Sequence, residues 1–362
     1  MTEQVSGARA VRDEDSFDVA AVDAWIRGVA STVSTTERGL GQGLPEVRQF
    51  AGGASNLTYL LRYPGRDLVL RRPPAGKKAK SAHDMGREFR IQAGLAPVFP
   101  YIAPLVGMCE DESVIGSPFY VMERLVGHIP RKDLGVELDE AGVRRLCTPT
   151  IDLLLDLHHV DPAAAGLEGL AMGEGYVARQ VSGWTDRYRR AKTWNVPSFE
   201  RVMAWLDEHQ PADSGSCLIH NDFRMDNVVY AEDDPTKPIG LLDWELATIG
   251  DPLMDLGTAM SYWIGDDDSA LLRRFRMQPS NAPGMLSRRE VVDYYCDRAG
   301  VELTDAEWTF YEVYGLFRLA AILQQIYYRY HHRQTRNPRF RSFWIACHVI
   351  DRRCRALIRG VS

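Results

Sequence analysis

The sequence predicts an α+β protein of two unequal lobes, a small β-rich one followed by a larger, mainly helical one. Between Val47 and Arg71, short apolar runs alternate with Gly and Pro punctuation, the pattern of strands joined by tight turns. From Asp139 onward, apolar residues recur at helical spacing over most of the chain. The change of character falls near Glu123 to Gly127, which sets the expected lobes at 17–125 and 126–362. Residues 1–16 are polar and charged and are expected to be disordered.

Taken in order, Asp18 can cap a helix whose apolar residues Val22, Ile26 and Val29 share a face. Val47 to Phe50, Leu57 to Tyr63 and Asp67 to Arg71 read as strands, separated by Gly52-Gly53 and Pro64-Gly65. A loop over Pro73 to Gly76 precedes a helix from Asp84 to Leu95, with Glu88, Ile91 and Leu95 on one face. Phe119 to Met122 is a further apolar strand. In the second lobe, helices are expected at Asp139 to His159, bent by Pro149, and at Tyr176 to Lys192 and Ser198 to His209. Short strands and turns follow between Leu218 and Trp244. Helices then run through Tyr262, Val291 to Tyr295, Trp308 to Tyr330 and Ser342 to Arg359.

With 45% hydrophobic and 25% charged residues, the composition is that of a globular protein, and neither a secretory leader nor a membrane span is expected. Six scattered cysteines with no C-x-x-C pair exclude a zinc ribbon and suit reduced thiols in the cytoplasm. A net charge of −6 argues against nucleic-acid binding. The charge is segregated, because ten arginines and a single acid, Asp351, follow Gly315. A solvated helix face is the plain reading of that run.

The sharpest chemical signal is His220-Asn221-Asp222-Phe223-Arg224-Met225-Asp226-Asn227, the H-x-D-x-x-x-x-N spacing of a kinase catalytic loop. An acceptor hydroxyl is a poor nucleophile, so a carboxylate such as Asp222 must orient it and take its proton. The amide oxygen of Asn227 can ligate Mg²⁺ without adding charge, and Arg224 can meet phosphoryl oxygens. Alone, the loop could be a polar turn. Downstream, Ile239-Gly240-Leu241-Leu242-Asp243 is an apolar strand ending in a second carboxylate, and the ordered pair of motifs makes a turn-only reading improbable.

The first half supplies the nucleotide side. Gly52-Gly53-Ala54-Ser55-Asn56 links two strands with small residues whose N–H groups can approach phosphates, with Gly53, Ser55 and Asn56 as the candidates. Val69 and Arg71 share a strand face, so Arg71 can reach the α/β-phosphates of ATP while Val69 lines an adenine pocket. Glu88 is the candidate partner of Arg71.

These residues carry a resemblance. The chain resembles the aminoglycoside phosphotransferase/choline kinase-like superfamily, which has the bilobal protein-kinase fold. The branch it is most similar to is a kinase domain fused to acyl-CoA dehydrogenases. Asn56-Leu57-Thr58-Tyr59, Val69-Leu70-Arg71-Arg72-Pro73-Pro74, Pro118 to Glu123, His220 to Arg224, Leu242 to Leu246 and Phe317 to Ile322 carry the likeness, as does the segment around Trp184. The resemblance implies ATP between the lobes, with Met122, Glu123 and Leu125 contacting adenine. It also implies Asp222 as base, Asn227 and Asp243 as Mg²⁺ ligands, and Asp251 and Asp255 as braces of the catalytic loop. Arg71 stands where protein kinases carry Lys, and Asp243-Trp244-Glu245 replaces D-F-G. No activation segment of protein-kinase type is visible, so a small-molecule hydroxyl is the expected acceptor.

Which hydroxyl is less legible. Arg179, Arg187, Arg189, Arg190 and Lys192 favour an anionic or neutral acceptor over a polycationic one. The aromatics Trp184, Tyr188 and Tyr327 suit a partly apolar molecule, although stripes at helical spacing are usually core. A hydroxyacyl-CoA or hydroxy acid fits both observations. An aminoglycoside acceptor and a catalytically silent nucleotide-binding module are the alternatives.

Overall fold

The computed structural model describes residues 7–30, 40–50, 56–74, 84–266 and 268–361. The Gly53 and Ser55 phosphate-loop candidates, and most of the loop after Pro74, lie outside the described residues. The chain divides into two compact units, 1–126 with 240–245 and 127–239 with 246–362.

The first unit contains β1 (Ala8–Arg9), α1 (Val19–Ala30), β2 (Glu46–Phe50), β3 (Leu57–Tyr63), β4 (Arg66–Arg72), α2 (Met85–Leu95), β5 (Leu105–Cys109) and β6 (Phe119–Glu123). The strands form an antiparallel sheet in the order β1-β2-β3-β4-β6-β5. Strict alternation sorts its two faces. Tyr59, Leu61, Leu68, Leu70 and Val121 point into a core with Val22 and Ile26 of α1. Val69 and Met122, directly opposite in register, face the other way with Met85, Ala103 and Tyr120. Asp18 caps α1 by accepting the Ala21 N–H, and Asp84 caps α2 by accepting the Arg87 N–H.

The expected disorder of 1–16 is corrected for the described part of that segment. Ala8–Arg9 pairs with β2, and Asp15 is buried. The Asp15 carbonyl accepts from the Tyr59 hydroxyl at 2.7 Å and from Arg72 at 2.6 Å, while its carboxylate accepts from Gln49 at 2.8 Å. These bonds to the sheet outweigh the polar composition. β5 is a strand that periodicity does not predict; Gly107 interrupts its apolar run, and the register shifts between Leu105 and Gly107.

The second unit runs through α3 (Glu140–His158), α4 (Tyr176–Ala191), α5 (Glu200–Glu208), β7 (Cys217–Ile219), β8 (Val228–Tyr230) and β9 (Pro238–Leu241), the last two residues of β9 belonging to the first unit. It continues with β10 (Thr248–Gly250), α6 (Pro252–Ser261), α7 (Ala270–Arg273), α8 (Arg288–Ala299), α9 (Asp305–His331) and α10 (Phe343–Val361). β7 pairs antiparallel with β10, and Pro149 lies inside α3. The central packing is α6 against α9, where the backbones nearly touch. A Cβ added to Gly315 would lie 2.0 Å from the Gly257 carbonyl oxygen, and one added to Gly257 would lie 2.5 Å from the Tyr311 oxygen. Only glycine permits that approach. Among the described residues, no helix is long and apolar enough to cross a membrane, and all six cysteines are free.

Candidate active site

In the first unit, β4 and α2 bring a buried charge cluster together. Arg71 Nη2 lies 3.3 Å from Glu88 Oε1 and 3.2 Å from Asp243 Oδ1. Glu88 is 2% exposed, and the Tyr120 hydroxyl donates to Glu88 Oε1 at 2.9 Å. Asn56 Nδ2 reaches Glu88 Oε2 at 3.4 Å and Glu245 Oε2 at 3.2 Å. Burial by itself would lower the Arg71 pKa, but Tyr120, Glu88 and Asp243 carry it above its ordinary value. Burial raises Glu88, and the Asp243 charge adds to that; Arg71 offsets only part.

Asp243 is held by its neighbours. Trp244 is buried, with its ring 5.9 Å from that of Phe99 and its Nε1 donating to the Leu241 carbonyl at 2.9 Å. Asp243 itself has φ +70°, a left-handed conformation that Asp tolerates better than most residues. On the same sheet, Val69, Ala103 and Met122 make a small apolar surface with Leu105 and Leu125 packed against it. Glu123 is not free to face a ligand with its carboxylate, because that group pairs with Arg66.

In the second unit, the segment 220–227 leaves β7, passes through a 3₁₀ turn at Met225–Asn227 and enters β8. Asn227 Nδ2 donates to the Asp222 carbonyl at 2.9 Å and approaches its Oδ2 at 3.4 Å. Arg224 Nη2 lies 3.5 Å from Asp222 Oδ2, with its Nε 3.2 Å from Asp226 and its guanidinium over the Tyr262 ring. The Asp222 N–H donates to His220 Nδ1 at 3.3 Å.

Two helices fix this loop. Asp255 of α6 accepts the His220 and Asn221 N–H groups, each at 2.7 Å, one on each carboxylate oxygen. Arg318 of α9 donates to the Asn221 carbonyl at 2.7 Å. The Gly257–Gly315 approach explains why both can reach, since Asp255 and Arg318 lie within a turn of it on their respective helices. Asn221 adopts φ +63° between these two clamps. Burial opposes ionisation of Asp255, but the His158 hydrogen bond and the His158 and His220 contributions hold its carboxyl below the ordinary range. Asp251 has a different job. It caps α6 through the Met254 N–H at 2.9 Å and accepts the Ser214 hydroxyl at 2.7 Å.

The residues expected to line the acceptor pocket separate. Tyr188 is corrected to core: it is wholly buried against Phe199 and Phe317, and its hydroxyl donates to the Pro197 carbonyl at 2.7 Å. Tyr327 is likewise buried, with its oxygen accepting from Asn195 Nδ2 at 2.8 Å. Arg179 is occupied with the Gly173 and Glu174 carbonyls. Trp184 remains half-buried, and Arg187 and Arg318 both stack on it. Arg318 and His158 are the residues that sequence reasoning did not single out for the site; a basic residue inside a helical run gives no sign of burial.

The profile of the Phosphotransferase enzyme family matches residues 46–291, and the chain belongs to that family. Its fold is the kinase-like fold of that family. Acyl-CoA dehydrogenase family member 10 of Mus musculus is 35% identical over 90% of this chain, which spans 30% of that relative's length. A crystal structure from Ralstonia eutropha, provisionally assigned as an aminoglycoside phosphotransferase, superposes with a TM-score of 0.76 at 28% identity, covering 94% of this chain and 99% of that one. Choline kinase from Cryptosporidium parvum shares the fold at a TM-score of 0.59 and 10% identity, covering 94% and 96% of the two chains.

Proposed function

We propose that the chain is an ATP-dependent small-molecule kinase that transfers the γ-phosphoryl group to a hydroxyl of a hydroxyacyl-CoA or related hydroxy acid. The observation that carries the reading is the Asp222–Asn227 pair, with the Asn227 amide 2.9 Å from the Asp222 carbonyl in a loop clamped by Asp255. In this reading Asp222 orients the acceptor hydroxyl and takes its proton as the new O–P bond forms. The bond from the γ-phosphorus to the bridging oxygen breaks, and ADP leaves. Arg224 stabilises the charge on the moving phosphoryl oxygens, and His220 supports the loop.

Arg71 binds the α/β-phosphates, and Glu88 holds its guanidinium in place. Val69, Met122 and Leu125 pack on adenine, with the backbone at Glu123 completing that contact. Gly53, Ser55 and Asn56 would cover the phosphates. The donor set suits magnesium. Asn227 uses its amide N–H on Asp222, so its oxygen is the atom left to ligate, and Asp243 adds a carboxylate. Magnesium bound by Asn227 and Asp243 would neutralise phosphate charge.

Two facts support the acceptor class. The aligned mouse relative is named for acyl-CoA dehydrogenation, and this chain spans only part of it. Arginines outnumber acids along α4, which disfavours a polycationic antibiotic. The test is ADP release with Mg²⁺-ATP across hydroxyacyl-CoAs, hydroxy acids, aminoglycosides, amino alcohols and sugars. Stimulation by hydroxyacyl-CoAs or hydroxy acids is expected. Stimulation by kanamycin alone would move the protein to the antibiotic class, and ATP binding without turnover on any acceptor would make it a silent module.

A further inference from the structure

Trp184 of α4 carries two guanidinia. Arg187 Cζ lies 4.6 Å from the ring centroid and Arg318 Cζ lies 5.1 Å from it. Among the described residues neither arginine forms an ion pair with a carboxylate. That is unusual for Arg318, which is only 4% exposed. Its hydrogen bond to the Asn221 carbonyl at 2.7 Å, the nearby Tyr314 and Tyr262, and the charge of Asp222 are its compensation. Arg187 is exposed on the same helix as Trp184, so solvent reaches the cluster from its side.

Guanidinium is the side chain best shaped to grip a carboxylate or phosphate through two parallel N–H···O bonds. A pair of them on one half-buried indole, neither in an ion pair with a carboxylate, is a binding surface for an anion with apolar character beside it. Its location links it to the chemistry, because Arg318 holds the carbonyl of the residue that immediately precedes Asp222. We propose that Arg187, Trp184 and Arg318 form an anion subsite that takes the carboxylate or phosphate of the acceptor and so presents its hydroxyl to Asp222. Arg318 is in addition a positioning residue, acting on Asp222 through the Asn221 carbonyl. The inference rests on the kinase reading for its link to Asp222, while the binding of an anion does not.

The test is calorimetric binding to the full chain without ATP, using 3-hydroxybutyrate, its uncharged amide and 3-hydroxybutyryl-CoA. At least one anionic probe should bind tenfold or more tightly than the amide. Arg187→Ala should weaken that probe about fivefold and leave the amide unchanged. Arg318→Lys keeps the charge but loses the fork, and should do the same with little change in melting temperature. Discrimination by the free acid assigns the subsite to carboxylate, and discrimination by the thioester alone assigns it to the CoA phosphates. Equal affinity for charged and uncharged probes, equal weakening of all probes by Arg187→Ala, or no anion binding at millimolar concentration overturns the proposal. Retained anion selectivity without phosphoryl transfer to any acceptor would instead remove the kinase reading and leave the subsite standing.

Discussion

The two units build their polar centres in opposite ways. In the first, the Arg71 guanidinium pairs with both Glu88 and Asp243, so each carboxylate depends on that one cation. In the second, the backbone of the segment that follows β7 is held from outside, by Asp255 on its N–H groups and Arg318 on a carbonyl. A centre of the first kind fails by leaving a charge stranded in a poor solvent. The second kind fails by letting a loop lose its shape while its functional carboxylate stays intact. Stability should therefore be the sensitive readout for the first unit, and rate for the second.

The largest expected effect is on rate. Asp222→Asn should lower phosphoryl transfer by on the order of 10³-fold, as for loss of a general base, while ATP binding and thermal stability stay near wild type. Glu88→Ala should break the comparison from the other side, destabilising the protein by about 3 kcal/mol in urea denaturation because Arg71 loses the more buried of its two partners. Gly315→Ala should cost a similar amount, about 3 kcal/mol, since a methyl group there meets the Gly257 backbone rather than a side chain that could swing away. It should also lower turnover, because the α6–α9 approach sets both loop clamps.

The smallest effect, and the one that sharpens the contrast most, is the pH response of two carboxyls. Glu88 has its pKa raised by burial, so its charge disfavours folding, and its contribution worsens as pH rises from the unfolded value through the raised folded one. Asp255 is depressed. Its stabilisation is complete above the unfolded pKa and is lost as pH falls through the lower folded value. Carboxyl-carbon NMR titration should place Glu88 above the ordinary glutamate range and Asp255 below the ordinary aspartate range. Two titrations on the same side of those ranges would contradict the contrast.

Much of this was legible from residues alone, and the exceptions share a cause. The strand Leu57–Tyr63 and the capped helix after Asp84 are written locally, in alternation and in a capping side chain. His220 to Asn227 is equally local, since its short spacing brings Asn227 back onto the Asp222 carbonyl within one turn. Arg318 was not legible, since its burial depends on a glycine three residues earlier meeting another glycine on α6. Tyr188 misled for the same reason. Its position on α4 fits a pocket or a core equally well, and only Phe199 and Phe317 decide for core. At the N-terminus, bonds to Tyr59 and Arg72 order a segment whose own composition is that of a free tail.

The central claim is that a hydroxyl of a small acid or its thioester receives the γ-phosphoryl group under the control of Asp222. Its most direct test is mass spectrometry of 3-hydroxyacyl-CoAs and hydroxy acids incubated with γ-¹⁸O-labelled ATP and magnesium. The account predicts a phosphorylated acceptor carrying the labelled oxygens with the wild-type chain and none above background with Asp222→Asn. Labelled product at equal rates from both proteins, or labelled inorganic phosphate as the only product across those acceptors, would contradict it.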